Sequence, residues 1–364
     1  MTEMALHPPA RKDKDDGAGA ENRIFWIRLW LAAIAGLVLA MVMVGGATRL
    51  TDSGLSITEW KPVTGIVPPM SDQGWASEFE KYRQIPEYEL INKGMTLEEF
   101  KDIYWWEWSH RFLGRMIGFV FFIPFLVFWL RGWLTRRSKW QGIGVLALGG
   151  LQGAVGWYMV ASGLVDRVDV SQYRLAMHLG LAAIILASVV LMARDVRLAR
   201  LADQAEALPS RFRVTSYALV GLVFLQILLG ALVAGLDAGL TYNTWPLMDG
   251  SFIPHGLFFK APWYVNPFEN ILTVQFDHRM MAYLVLGVAI FHAIQSRGLR
   301  DQAAIRRAHF LSVLVGTQVV VGIVTLLTVV HIHIALAHQA IAFVTFAFAV
   351  LHADANRRGT LPAD

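Results

Sequence analysis

The chain has 364 residues, 55% of them hydrophobic and 16% charged, and its mean hydropathy is +0.46. This exceeds the apolar content of soluble globular proteins and indicates a protein whose solvent is mostly lipid. The formal charge of +4 arises from Lys and Arg concentrated in short loops between apolar runs, which signals membrane topology and argues against a nucleic-acid partner. With no cysteine, disulfides, thiolate chemistry and c-type haem attachment are excluded, so a bound metal needs His or carboxylate ligands.

The segment 1–23 is polar and lacks the apolar core of a secretory signal, so we expect a disordered cytoplasmic tail. Eight apolar runs follow, each about as long as a helix that crosses a bilayer. They cover approximately residues 24–46, 110–131, 141–162, 175–193, 214–236, 273–295, 309–330 and 334–352. Arg-rich loops follow the second, fourth and sixth runs, and the positive-inside rule therefore places both termini in the cytoplasm.

Landmark residues recur in the same order along the two halves of the chain. Asp52 and Trp60 recur as Asp237 and Trp245 at a constant offset of 185 residues. Later pairs keep this order: His110-Arg111 with His278-Arg279, Gln152 and Gly156 with Gln318 and Gly322, and His178 with His338. Because four spans return the chain to its starting side, the halves have the same orientation. The sequence predicts an all-α integral membrane protein of eight transmembrane helices, built as two tandem four-helix bundles in a parallel internal repeat.

The repeat also predicts the domain boundaries. An N-terminal half covers residues 24–195 and includes a long outer loop, 48–106, whose Pro, Gly, Trp and mixed charges indicate a folded cap. A cytoplasmic linker, a C-terminal half and a second cytoplasmic tail follow at residues 196–213, 214–354 and 355–364.

Four histidines occupy repeat-equivalent places near the outer starts of the inward-running helices, and therefore share one membrane depth. They are His110, His178, His278 and His338. Two imidazoles facing each other across a bundle are the usual axial ligands of a b-type haem, so the pattern predicts one haem site in each half. A lone intramembrane histidine is as often a packing residue, but the fourfold occurrence favours haem. His292 and His352 each lie about four helical turns after a predicted ligand, which leaves open a second, stacked haem.

Glu107 is the sharpest difference between the halves. It lies one turn before His110, where the second half has Gln275, which cannot ionise. A carboxylate at membrane depth is costly and indicates general acid/base chemistry or stabilisation of a positive charge. The structural alternative is an ion pair with Arg111 or Arg115.

Three arginines of the first half are replaced by uncharged residues at the equivalent positions of the second. They are Arg49, Arg115 and Arg174, replaced by Ala234, Tyr283 and Ile334. Arg is suited to bidentate contacts with haem propionates, so these residues are candidate propionate contacts. Snorkelling of the side chains to the membrane interface explains each of them equally well.

The chain resembles the haem A synthase family of the proteobacterial and mitochondrial type. The resemblance lies in the segment GGATRLTDSGLSITEWKPVTGIVPP, the EWSHR and FDHR motifs, and the helices carrying LAMHLG and LAHQA. It implies oxidation of the C8 methyl group of haem O to the formyl group of haem A for aa-type cytochrome oxidase. It further implies that His278 and His338 ligate a haem b cofactor, that His110 and His178 hold the haem O substrate, and that Glu107 is the catalytic carboxylate.

The resemblance also implies a multi-pass protein of the cell inner membrane, with an electron acceptor that the sequence does not identify. Haem O synthase and cytochrome oxidase assembly factors are candidate partners, and the oligomeric state stays open, a homo-oligomer included. The alternative function is a di-haem b-type electron-transfer cytochrome without haem-modifying activity, which needs the same histidines but gives Glu107 no chemical task. A transporter with parallel repeats, whose histidines relay protons, is a further alternative.

Overall fold

The computed structural model describes residues 12–61, 64–166, 168–198 and 208–357. Its α-helices in chain order are α1 (Lys12–Leu50), α2 (Asp72–Tyr82), α3 (Pro86–Leu90), α4 (Leu97–Leu130), α5 (Arg136–Asp166), α6 (Gln172–Leu198), α7 (Ser210–Gly235), α8 (Asn266–Glu269), α9 (Ile271–Ser296), α10 (Gln302–Leu327) and α11 (Ile332–Arg357). Within these described ranges, eight helices are long and apolar enough to cross a membrane: α1, α4, α5, α6, α7, α9, α10 and α11. The prediction of an all-α fold with eight membrane-spanning helices is confirmed.

Several helices extend beyond the apolar runs that predicted them. The largest difference is α4, which begins at Leu97 instead of near residue 110. Thr96 caps it through a capping box, in which its hydroxyl accepts from Glu99 N at 3.3 Å and its own N–H donates to Glu99 Oε2 at 2.8 Å. Hydrophobic periodicity detects the part of a helix that faces lipid, so the polar first turns of α4 escaped it. For the predicted tails and linker, residues 1–11, 199–207 and 358–364 lie outside the described residues, and the domain boundaries stay predictions.

The transmembrane helices of each half close the same ring of neighbours. In the first half α1, α4, α5 and α6 pack in a ring, and in the second half α7, α9, α10 and α11 do the same. The halves join where α6 packs on α7 and where α1 and α6 pack on α11. Gln339 of α11 lies against Gly46 of α1 and donates to the carbonyl oxygen of Val42 at 3.2 Å. In this arrangement α4 and α6 face each other across the first ring, and α9 and α11 across the second.

A cap formed by residues 51–61, residues 64–96 and the first turns of α4 covers one end of the first ring, which we call the cap side. A separate hydrophobic cluster holds it together: Leu55, Ile57, Trp75, Tyr82, Ile85, Tyr88, Phe100 and Tyr104. Glu87 is buried among these side chains and accepts a hydrogen bond from the Tyr82 hydroxyl at 3.1 Å. Burial raises the pKa of Glu87 to about 8. The cap is thus a packed unit above the first helix ring.

Candidate functional site

The four predicted histidines come together as two pairs, one in each helix ring. The ring centroids of His110 on α4 and His178 on α6 are 6.4 Å apart, and those of His278 on α9 and His338 on α11 are 6.5 Å apart. Metal–imidazole bonds of about 2 Å would separate two axial imidazole centroids by roughly 6 to 6.5 Å. The centroid separations of both pairs are therefore compatible with two imidazoles that ligate one iron.

Each of these histidines lies against a glycine on a neighbouring helix. A Cβ added to the glycine would lie 3.1 Å from His110 Nε2 at Gly45, 3.1 Å from His178 Cε1 at Gly156, 3.1 Å from His278 Cε1 at Gly230, and 2.7 Å from His338 Cε1 at Gly322. These glycines belong to α1, α5, α7 and α10. Because a larger residue would push the ring away, the glycines fix how closely the helices approach the imidazoles.

A glutamine precedes three of these glycines by one helical turn and reaches the same histidine. The Nε2 atoms of these glutamines donate to the histidine carbonyl oxygens over 3.1, 3.1 and 2.9 Å, and lie 3.1 Å from a ring nitrogen, in the pairs Gln152–His178, Gln226–His278 and Gln318–His338. Their Oε1 atoms are buried and find no hydrogen-bond partner among the described residues. A reoriented amide would let this oxygen accept a hydrogen bond from the N–H of one ring nitrogen while the other ring nitrogen binds a metal. The orphaned oxygens are the second observation that fits an iron between the imidazoles.

His110 differs from the other three, because Met41 stands one turn before Gly45 where the others have glutamine. The sequence marks Gln152 and Gln318 only as repeat landmarks and does not predict their contact with the histidines. Gln226 is not among the predicted site residues. The signal was available as a Q-x-x-x-G pattern in three spans, with M-x-x-x-G in the first.

Glu107 is 2% exposed and its carboxylate accepts four hydrogen bonds. Oε2 accepts from Ser56 Oγ at 2.8 Å and from Ile57 N at 2.6 Å. Oε1 accepts from Arg111 Nε at 3.1 Å and Arg111 Nη2 at 2.6 Å. The structural alternative considered for Glu107 is therefore present, as an ion pair with Arg111, and the same carboxylate anchors the cap to α4.

The second half builds the corresponding anchor with the opposite hydrogen-bond polarity. Gln275 Nε2 donates to the carbonyl oxygens of Ala238 and Thr241, both at 2.7 Å, while its Oε1 accepts from Arg279 Nη2 at 2.8 Å. Arg279 donates to the carbonyls of Tyr242 and Thr244, and Arg111 donates to those of Ile57 and Glu59, at repeat-equivalent positions. In both halves an arginine, Arg111 or Arg279, holds the preceding loop by two of its carbonyl oxygens, and we call this contact the arginine clamp. The loop presents hydrogen-bond donors to Glu107 but acceptors to Gln275.

The three candidate propionate arginines occupy different settings. Arg49 is paired with Asp52 at 2.8 Å and with Asp237 of the other half at 2.7 Å. Arg115 donates to the carbonyl oxygen of Lys61 at 3.0 Å and lines a cavity of about 410 Å³ beneath the cap. The guanidinium of Arg174 lies 4.7 Å from the ring centroid of Tyr158, and its buried Nη1 has no hydrogen-bond partner within the described ranges.

His292 and His352 form a separate buried pair near the opposite end of the second ring. Their Nε2 atoms are 2.7 Å apart, which is a direct hydrogen bond. Thr215 Oγ1 lies 2.7 Å from His292 Nδ1, and Phe212 stacks on the same ring with centroids 4.2 Å apart. An iron between two imidazoles needs about 4 Å between the nitrogens. The sequence positions of His292 and His352 were compatible with a stacked haem. In the structure the two side chains instead form a directly hydrogen-bonded imidazole pair.

Comparison with known proteins identifies close similarity over most of the chain. The COX15-CtaA family, described as cytochrome oxidase assembly protein, matches residues 28–350. A protein of Chelativorans sp. named heme A synthase is 56% identical over 343 residues, which cover 93% of each chain. Proteins of the same name from Azorhizobium caulinodans and Brucella ovis are 54% and 50% identical, over 91% and 96% of this chain and 95% of each relative.

Proposed function

The chain belongs to the COX15-CtaA family of cytochrome oxidase assembly proteins, and we propose that it is a haem A synthase that converts haem O to haem A. The reaction oxidises the C8 methyl group of haem O to a formyl group, as the sequence resemblance implies. One observation carries the proposal. Each helix ring holds a histidine pair whose imidazole centroids are separated as two axial ligands of one iron would be, and the two rings differ in the groups beside that pair.

His278 and His338 are the proposed ligands of a haem b cofactor. The 6.5 Å centroid separation supports this, as do Gln226 and Gln318, which contact one imidazole each. With the amides reoriented, Oε1 would accept a hydrogen bond from the N–H of each ligating ring, which would orient the ring and raise its basicity. A haem bound here would supply one-electron redox chemistry.

His110 and His178 are the proposed holders of the haem O substrate. Gln152 reinforces His178, but Met41 cannot supply a comparable hydrogen bond to His110. A less strongly oriented ligand suits a site that must release its product. The asymmetry therefore supports assigning exchangeable haem to the first half and resident haem to the second.

The proposed propionate contacts are Arg49, Arg115 and Arg174. Arg115 borders the cavity under the cap, and Arg174 has a buried Nη1 that the described residues leave without a hydrogen bond. Arg49 forms ion pairs with two carboxylates, but its buried Nε also has no hydrogen-bond partner among the described residues. These donors are suited to carboxylate groups at the cap side of a haem.

Glu107 is the proposed catalytic carboxylate. Conversion of a methyl group and one water molecule to a formyl group releases four electrons and four protons. Glu107 forms an ion pair with Arg111, and its Oε2 accepts hydrogen bonds from Ile57 N and Ser56 Oγ. We propose that this carboxylate accepts a released proton.

The proposed setting is the cell inner membrane, with both termini cytoplasmic and the cap on the outer side. Haem O synthase and cytochrome oxidase assembly factors remain the proposed protein partners. A di-haem electron-transfer cytochrome is the second candidate function, because the two histidine pairs have nearly equal spacing and the ion pair of Glu107 gives that residue a purely structural task.

Haem analysis separates these functions. The chain would be expressed in bacteria that make haem O but lack a haem A synthase, and extracted haems would be identified by chromatography and mass spectrometry. We expect haem A with the wild-type chain and its loss in the His110→Ala and His278→Ala variants. Purified protein containing haem B alone, in cells that accumulate unconverted haem O, would instead identify the cytochrome.

A further inference from the structure

The segment between α7 and α9 exposes large apolar side chains on the cap side of the second ring. It follows the end of α7 at which Asp237 pairs with Arg49. We call residues 251–268 of this segment the aromatic loop. Exposed apolar surface on the scale found here marks a site that meets a partner or a membrane. Six large apolar side chains of the loop are between 59% and 71% exposed: Phe252, Ile253, Phe258, Phe259, Trp263 and Tyr264.

The polar groups of the aromatic loop are turned inward. Asn266 is completely buried, and its Oδ1 accepts from Lys260 N at 3.0 Å. Its Nδ2 donates to the carbonyl oxygens of Lys260 and Trp263 at 2.9 and 2.8 Å. Lys260 is the only Lys, Arg, Asp or Glu of the loop, and its Nζ donates to the carbonyl oxygen of Glu269 at 2.7 Å. The loop thus has a fixed shape with polar groups inside and apolar groups outside, the reverse of a loop that folds in water.

Two further side chains hold the aromatic loop level with the start of α9. Asn270 Nδ2 donates to the carbonyl oxygen of Gly256 at 3.0 Å, and the Thr273 hydroxyl donates to that of Leu257. The 26 residues of α9 span about 39 Å, which is roughly 9 Å more than the hydrocarbon core of a bilayer. A helix centred in this core has its first turn among the lipid head groups, and the loop then lies at the same height.

The cap shows how the same fold builds a segment that can face water. Its helix α2 buries Trp75 and Tyr82 and exposes Asp72 and Glu80. The aromatic loop has the opposite arrangement, with its aromatic side chains outside. A patch that binds a soluble protein is normally surrounded by a polar rim, whereas aromatic side chains with few charges are typical of the membrane interface.

We propose that the aromatic loop lies in the membrane leaflet on the cap side, with Phe252, Phe259 and Trp263 among the lipid head groups and the upper acyl chains. Continuity with the lipid-facing surface supports this, because Phe268 and Ile271 are both exposed and lead along the chain from the loop into α9. Tryptophan and phenylalanine partition favourably into this zone. The loop therefore attaches the cap-side end of the second half to lipid, and this role does not depend on the haem chemistry.

Fluorescence quenching tests the position of the loop. Because the chain has no cysteine, a single introduced cysteine is the only site for a thiol-reactive label. Full-length Phe259→Cys and Trp263→Cys would each be labelled with the fluorophore NBD and placed in phosphatidylcholine nanodiscs. A lipid that carries a nitroxide near its head group quenches labels in the leaflet, and iodide quenches labels in water. Two controls calibrate the scale: Lys93→Cys on the cap, whose side chain is exposed, and Leu284→Cys, exposed midway along α9.

We expect the nitroxide lipid to quench the labels at Phe259 and Trp263 at least about threefold more than the label at Lys93, as it does at Leu284. Iodide should quench them at least about threefold less than the label at Lys93. Iodide quenching equal to that at Lys93 would place the loop in water and overturn the proposal. Protection from both quenchers would mean that a second copy or another protein covers the loop, which would overturn it as well.

Hydrogen exchange gives a second measurement that needs no label. In nanodiscs, Phe259→Ser should speed amide exchange of the peptides within residues 251–268 about threefold or more, because a side chain that leaves lipid no longer holds the loop there. Leu90→Ser is the matched control, because Leu90 is an exposed apolar residue of the cap, and it should leave the exchange of cap peptides unchanged. Unchanged exchange of the loop in Phe259→Ser would contradict its insertion into the leaflet.

Discussion

Replacing Glu107 by Gln gives the first half the residue of the second, yet the surrounding loops are not interchangeable. The new amide oxygen can accept from Arg111, as Gln275 does from Arg279. Its NH₂ group then faces the N–H of Ile57, which is a second donor. Because Glu107 is 2% exposed, water cannot take over, and the lost charge-assisted hydrogen bond with an unmet N–H costs about 2 to 4 kcal/mol.

The chemical effect of Glu107→Gln should be far larger than this loss of stability. A side chain that transfers protons contributes about 10²- to 10⁴-fold to a rate, so haem A formation should fall at least about 100-fold. The assay is the rate of haem O conversion by purified protein, with the melting temperature and bound haem measured on the same sample. We expect the variant to keep its bound haem and to melt at a lower temperature.

Ser56→Ala is the matched control, because it removes one hydrogen bond from the same carboxylate oxygen and leaves the charge in place. It should cost about 1 kcal/mol and lower haem A formation only a few-fold. The reasoning is refuted if both variants lose activity in proportion to their loss of thermal stability. Glu107 would then be an anchor for the cap and have no part in the reaction.

Three further predictions follow from the geometry. Gly322→Ala should lower the bound haem per protein to less than about half, because the new Cβ would lie 2.7 Å from His338 Cε1. Gly316→Ala on the same helix is the control, because its Cβ meets nothing within 4 Å, and it should keep the full haem content. A pyridine haemochrome assay measures the haem content of both variants. His292→Ala should keep the haem content of the wild type and lose about 1 to 3 kcal/mol of stability, because its imidazole is hydrogen-bonded to a neighbouring imidazole; loss of haem would restore the stacked-haem alternative. Burial raises the pKa of Glu87 from 4.5 to about 8, so the folded cap favours the protonated carboxyl. The cap should therefore lose about 3 to 5 kcal/mol of stability as pH rises from about 4.5 to about 8. Hydrogen exchange of cap peptides should show this loss in the wild type but not in Glu87→Gln.

The sequence predicted the eight spans and the four histidines because both depend on patterns that repeat within the chain. Long apolar runs identify membrane helices by length and composition alone. The pairing of His110 with His178 follows once four helices close a ring. Helix rotation and tilt decide the finer contacts, and these come from packing with distant segments. For this reason the sequence does not predict the contact between Gln226 and His278. It also leaves a haem possible at His292 and His352, whereas in the structure their imidazoles are directly hydrogen-bonded.

The difference between Glu107 and Gln275 involves more than one side chain. Glu107 receives hydrogen bonds from Ile57 N and Ser56 Oγ, while Gln275 gives hydrogen bonds to two loop carbonyls. A glutamate in the second loop would set carboxylate oxygens against carbonyl oxygens, and a glutamine in the first would set its NH₂ against an N–H. Either exchange alone leaves buried groups unmet, so side chain and loop must differ together.

Arg279 holds the loop of the second half beside Gln275, as Arg111 holds the loop of the first half beside Glu107. An uncharged residue next to the arginine is therefore sufficient to anchor such a loop. Anchoring therefore does not by itself account for a buried negative charge in the first half. The proposed proton transfer by Glu107, beside the proposed substrate pair, would account for it.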